Sequence, residues 1–124
     1  HPLRKRAKLQ LADTLAERWA LLPKGTAPFE HMMRVFARQN LALPNVVVET
    51  RSVTALKSLI GRSGFLGWMP ARMYDAERKA GLIDALDIPG ASDKRTLTAF
   101  RRRAGLLPGP SIKLLEELRA LTAA

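Results

Sequence analysis

Asn45-Val46-Val47-Val48-Glu49-Thr50-Arg51-Ser52 is the stretch on which the fold turns. Three consecutive valines are stiff at χ1 and favour an extended chain. They also lack the polar alternation of a strand with one wet face, so the pattern predicts burial on both faces, as in a parallel sheet covered by helices. Ser52 is suited to cap a helix by accepting a hydrogen bond from a first-turn amide. Val53, Leu56, Leu59 and Ile60 follow at helical spacing and predict the inward face of that helix. The passage therefore reads as strand Asn45–Glu49, junction Thr50-Arg51-Ser52, then helix.

Upstream, Arg18-Trp19-Ala20-Leu21-Leu22 predicts another strand, stopped by Pro23 and a turn at Lys24-Gly25. Pro28 sits where a first helical turn tolerates proline. Phe29, Met32, Met33 and Phe36 give that helix one apolar face, with Arg34 and Arg38 on the other side and an end near Asn40, before Pro44. Residues 1–15 read as a basic entry with a short helical turn, Leu9 to Leu15. Downstream, Phe65 to Met69 predicts a third strand, opened after Gly64 and closed at Pro70. A helix from Ala71 to Ala80 should stop at Gly81. Leu82 to Ile88 and Leu97 to Arg102 predict a fourth and a fifth strand, with a loop at Pro89-Gly90-Ala91-Ser92-Asp93 between them. After Leu107-Pro108-Gly109-Pro110 comes a terminal helix with Leu115, Leu118 and Leu121 inward. Strands alternating with helices predict an α/β fold, a mixed sheet with helices on both faces and right-handed crossovers.

The chain has 124 residues, 47% hydrophobic and 26% charged, the balance of one globular domain or part of one. No apolar run approaches the roughly 20 residues of a membrane-spanning helix. The basic start, His1-Pro2-Leu3-Arg4-Lys5-Arg6, leads into no apolar stretch, so it does not read as a secretory signal. There is no cysteine, which excludes disulfides, thiolate ligands and thiol catalysis and favours the cytoplasm. The net charge of +10 raises the alternative of a small basic nucleic-acid-binding module. Only two basic groups are tight, however: Arg4-Lys5-Arg6 with Lys8, and Arg101-Arg102-Arg103. A lone His31 is no metal site. Nucleophile elbow, phosphate-binding glycine loop and metal-spaced His/Asp/Glu groups are all missing, and Asp75, Glu77, Asp84, Asp87, Glu116 and Glu117 show no pairing along the sequence. The reading is of a protein that is not an enzyme, with no cofactor and no metal.

Several phrases in order resemble the LysR family of transcriptional regulators. His1-Pro2-Leu3, Leu11-Ala12-Asp13 and Arg18-Trp19-Ala20-Leu21-Leu22-Pro23 look like the entry into that family's second effector subdomain. Val47-Val48-Glu49-Thr50-Arg51-Ser52, with Leu56-Lys57, is similar to its strand-to-helix junction. Ser63-Gly64-Phe65-Leu66-Gly67-Trp68-Met69-Pro70 resembles the next strand, although many members carry a Gly-x-Gly pair before it. Gly81-Leu82-Ile83, Leu97-Thr98-Ala99-Phe100-Arg101 and the proline-led helix complete the series.

The resemblance implies a periplasmic-binding-protein-like, two-lobed sensor. Residues 1–15 would be the crossover segment, 16–95 the second effector-binding subdomain, and 96–124 the strand and helix returning to a first subdomain otherwise absent. It also implies a cytoplasmic homodimer or higher oligomer that takes a small-molecule effector and touches DNA only through a missing N-terminal winged helix-turn-helix. Effectors in that family lie in the cleft between subdomains. Here the junction Thr50, Arg51 and Ser52 offers two hydroxyls and a guanidinium, suited to a carboxylate or similar oxyanion. Lys24 and Thr26, in the loop at the equivalent junction, are a second candidate wall. The plainer alternative is that Ser52 only caps a helix, Thr50 ends a strand, Arg51 is solvated and Thr26 belongs to an ordinary turn. Trp68 is a cleft candidate that an apolar strand would equally place in the core.

Overall fold

A computed structural model describes residues 1–92, 96 and 98–123. Two compact units divide the chain, His1–Asp93 and Lys94–Ala124.

In the first unit the strands are β1 (Arg18–Leu21), β2 (Asn45–Glu49) and β3 (Leu66–Gly67), in the order β2-β1-β3. Both pairings are parallel. The sheet is thus parallel throughout and narrower than the mixed one expected. Helix α1 (Ala27–Arg38) joins β1 to β2, and α2 (Val53–Ser63) joins β2 to β3. Alternate residues of β1 point to opposite faces, and each face has its own core. Trp19 and Leu21 pack with Phe29, Met32, Val35 and Phe36 of α1 and with Leu66. Ala20 packs with Leu56 of α2, together with Leu22 and Phe65. Helices on both faces of an α/β sheet are therefore what the chain forms.

The three valines of β2 are explained by an irregularity. Val46 lies opposite Trp19, but Val48 lies opposite Ala20, so Val47 is one extra residue in the ladder. A regular strand would put Val46 and Val48 on the same face. Instead Val46 packs on the α1 side and Val48 on the α2 side. Val47, expected to be buried, is 51% exposed. It forms a β-bulge on the outer strand of the sheet.

Helix boundaries follow the sequence closely. Asn40 takes a left-handed φ of 53° just past α1, and the Leu41 N–H returns to the Phe36 carbonyl at 3.0 Å. Gly64 closes α2 with φ 67°, its N–H bonded to the Leu59 carbonyl. The expected helix 71–80 is broken into a 3-10 turn, Ala71–Tyr74, and a short α3 (Asp75–Lys79). Gly81, at φ 71°, stops it as anticipated.

The two C-terminal strands are corrections. Leu82 and Ile83 give their N–H groups to the Glu77 carbonyl, at 2.9 and 3.4 Å, which spends them on closing α3. With only two residues in β3, no long neighbour is available for a ladder, and 82–88 is irregular. Leu97 of the fifth strand lies outside the described residues, and 98–102 form no strand. In the second unit the terminal helix is α4 (Gly109–Ala123). No helix among the described residues is long and apolar enough to cross a membrane.

Candidate functional site

In a parallel sheet every strand ends at the same edge, and that edge collects the loops entering the following helices. The β1 loop carries Lys24 and Thr26, and the β2 loop carries Thr50, Arg51 and Ser52. Leu21 is paired with Glu49, and the Thr50 N–H donates to the Leu21 carbonyl at 2.9 Å, so the ladder runs past the strand into the junction. The two loops that the sequence nominated separately are therefore neighbours. Their helices leave over opposite faces of the sheet, since α1 and α2 serve different cores. Beyond β3, Met73 packs on the α2 side, whereas Trp68, Leu86 and Ile88 pack on the α1 side. In open α/β sheets such a reversal marks the usual ligand position, beyond the carboxyl ends of the strands.

Local hydrogen bonds fix what each side chain offers. The Ser52 Oγ accepts from the Ala55 N–H at 3.2 Å and caps α2. The Thr50 Oγ1 accepts from the Ser52 N–H at 3.1 Å, closing a small turn across Arg51. In both bonds the hydroxyl oxygen is the acceptor, so each O–H proton is left to donate elsewhere. Arg51 is exposed and Thr50 half-buried. No acidic residue sits in the first turn of α2. The first-turn amides and the positive end of the helix dipole are therefore not offset by an acidic side chain of that turn, and Arg51 precedes them in the chain.

The β1 loop differs. The Thr26 Oγ1 donates to the Pro23 carbonyl at 2.7 Å, which commits its proton. Glu30 stands in the first turn of α1 and accepts from the Gly25 N–H at 3.3 Å. Pro28 supplies no N–H at all. Lys24 is exposed and is that loop's cationic contribution. An anion is better served at Thr50–Ser52 than at Thr26.

Other candidates resolve as structure. Trp68 packs against Phe36, ring centroids 6.4 Å apart, and its Nε1–H donates to His31 Nδ1 at 3.0 Å, so it joins the α1-side core. Three of the carboxylates that looked unpaired have cationic partners: Glu77 pairs with Lys57, Asp75 with Lys79 at 3.5 Å, and Asp84 with Arg4 at 2.9 Å. None of these is an acid/base pair. Arg4 and also Arg6, paired with Asp13, are thereby withdrawn from the first basic cluster. The Lys57–Glu77 and Arg4–Asp84 pairs join residues far apart in sequence, so only the fold could reveal them. An open cavity of about 470 Å³ lies at the other end of the sheet, beyond the C-terminus of α1. Gln10, Leu11, Ala12, Gln39, Leu41 and Pro89 line it, with no ionisable group among them. No group of His, Cys, Asp and Glu at metal spacing occurs among the described residues.

Comparison with curated proteins finds no match. The family model described as the LysR substrate binding domain matches residues 1–123. That match spans the sheet, both carboxyl-edge loops and α4 alike, and the chain accordingly belongs to the LysR substrate-binding domain family.

Proposed function

We propose that this chain is the effector-sensing part of a LysR-type transcriptional regulator and that it binds a small anionic metabolite at the carboxyl edge of its sheet. Thr50, Arg51 and Ser52 supply the principal contacts, and Lys24 adds charge from the neighbouring loop. Thr26 contributes a lone pair and shape. One observation carries this reading: the β1 and β2 loops lie side by side, joined by the Thr50–Leu21 hydrogen bond, where their helices depart over opposite faces. Hydroxyl protons, helix amides and two cations then belong to neighbouring loops at one edge of the sheet, a donor set that suits a carboxylate and offers little to a neutral apolar molecule.

In this proposal effector binding adjusts DNA binding by a winged helix-turn-helix elsewhere in the regulator, which acts in the cytoplasm as a homodimer or higher oligomer. The test is calorimetric titration against a panel of small carboxylates and phosphates. For a compound that binds, Thr50→Val keeps the shape and deletes the donor. Affinity should fall roughly 2- to 10-fold, the effect of one buried hydrogen bond. Arg51→Ala should act more strongly, and its loss should shrink with salt. Unchanged affinity in Thr50→Val, Arg51→Ala and Ser52→Ala alike would remove the site.

A further inference from the structure

The β1 and β2 loops are not alone at the carboxyl edge of the sheet. β3 runs parallel to β1, with Leu66 opposite Trp19 and Gly67 opposite Ala20, so it ends at the same edge. Continuing that register puts Trp68 level with Leu21, which is itself paired with Glu49. Past this level each strand leads to one cation: Lys24 after β1, Arg51 after β2 and Arg72 after β3. Arg72 stands in the turn Ala71–Tyr74, where the Met73 N–H donates to the Pro70 carbonyl at 2.9 Å. All three cations are exposed, and none has an acidic partner among the described residues. The stretches 22–26, 50–52 and 68–72 contain no acid. Asp75, the next acid along the chain from Arg72, is paired with Lys79.

Cations at the opposite edge have structural explanations. Arg38 and Arg62 occupy the last turns of α1 and α2, where the negative end of a helix dipole favours them. Arg18 donates to the Ser63 carbonyl at 3.1 Å and lies over the Phe65 ring. Lys24 and Arg51 are placed the other way, just ahead of helix N-termini, whose positive ends disfavour a cation. A bound anion would offset that repulsion.

One carboxylate leaves part of this row unused. The Thr50–Ser52 junction alone can serve a single carboxylate, with two hydroxyls and a guanidinium. β2 and β3 flank β1, and strands lie about 4.8 Å apart, so the two outer loops leave the sheet about 10 Å apart. The oxygens of one carboxylate do not span that distance. We infer that the ligand is a small organic dianion, with one anionic group at Thr50–Ser52, the second held by Arg72, and Lys24 between them. The inference rests on the anion reading of Thr50–Ser52 and adds to it a second charge and the residue that receives it.

The experiment is an NMR amide-shift titration of the whole chain with adipate and with hexanoate, which share a six-carbon chain and differ by one carboxylate. Both compounds should move the amides of 50–53. Adipate alone should also move those of 71–73, and it should bind about 5-fold more tightly, the upper scale of one solvent-screened ion pair. Arg72→Gln should bring adipate down to the affinity of hexanoate and leave hexanoate unchanged. Arg72→Lys, which keeps the charge, should retain most of the difference. Adipate no tighter than hexanoate, with both still moving 50–53, would overturn the second charge and leave the Thr50–Ser52 site standing. An adipate preference that survives in Arg72→Gln, or an equal loss for both compounds, would overturn the role of Arg72. If neither compound moved 50–53, this inference and the anion reading beneath it would fall together.

Discussion

Helices α1 and α2 start at the same edge of the sheet and do different work. α1 buries Phe29, Met32, Val35 and Phe36, with Met32 and Phe36 at 0% exposure, against Trp19, Leu21 and Leu66. α2 fully buries only Leu56, and its Val53, Leu59 and Ile60 stay half-covered. The N-termini differ as well. α1 begins with a proline and fills its first turn with Glu30, whereas α2 begins with a serine cap, no acid and an arginine just outside. The helix that holds the fold together has its dipole already answered from within the chain, and the helix that holds less leaves its own available.

The sharpest way to break this contrast is to open a hole on each side. Phe36→Ala should cost about 3–5 kcal/mol, because the ring is fully enclosed and meets both Trp19 and Trp68 edge-on. Leu56→Ala should cost about 2–3 kcal/mol, since the thinner α2 side can collapse toward the gap. Urea unfolding of the two variants checks the ranking. A Leu56→Ala loss as large as that of Phe36→Ala would show that the two faces are packed alike.

Much of this asymmetry was legible in the sequence. The 3.6-residue spacing of Phe29, Met32 and Phe36 marked the buried face of α1, and Ser52 marked the start of α2. The carboxyl-edge loops could be named because turn residues, strand ends and helix caps are local signals. What escaped was whatever depends on a partner distant along the chain. The valine run signalled burial on two faces, but the same residues also fit a regular strand, and only the pairing with β1 makes Val47 the extra one. Leu82–Ile88 is apolar enough to read as a strand, yet a strand needs an open neighbour, and the two-residue β3 offers none of adequate length. The commitment of the Thr26 hydroxyl to Pro23 was equally invisible, because capping and turn formation use the same residue types.

A smaller effect separates the helix starts themselves. Ser52→Ala removes a cap from α2 and should cost about 1 kcal/mol. Thr26→Ala removes a hydroxyl that caps nothing in α1 and should cost less. Thermal unfolding of the two variants at matched pH sharpens the comparison. If Thr26→Ala proved the more damaging, the β1 loop would be the more dependent of the two junctions.

The smallest effect concerns what steadies α2 on its exposed side. Lys57 of α2 pairs with Glu77 of α3, and both side chains are partly covered. The hydrogen bond from Lys57 is the main reason the Glu77 carboxyl is held below its usual value; a backbone hydrogen bond and the lysine charge add to it, and desolvation opposes it. A carboxyl whose pKa is lower folded than unfolded stabilises the protein above the unfolded value and loses that contribution as pH falls through the folded one. Glu77→Gln should therefore lower the melting temperature at neutral pH. The deficit should shrink as the pH falls below the ordinary carboxylate range and the parent carboxyl itself takes up a proton. Added salt should narrow the neutral-pH gap too, because the pair is within reach of solvent. The same scans on Asp75→Asn, whose partner Lys79 lies one turn away at 3.5 Å and largely in water, should show almost no gap at any pH. A gap for Glu77→Gln that stayed constant with pH would mean that the side chain's shape matters there and its charge does not. In that case α2 would rest on Leu56 alone, which would widen its difference from α1.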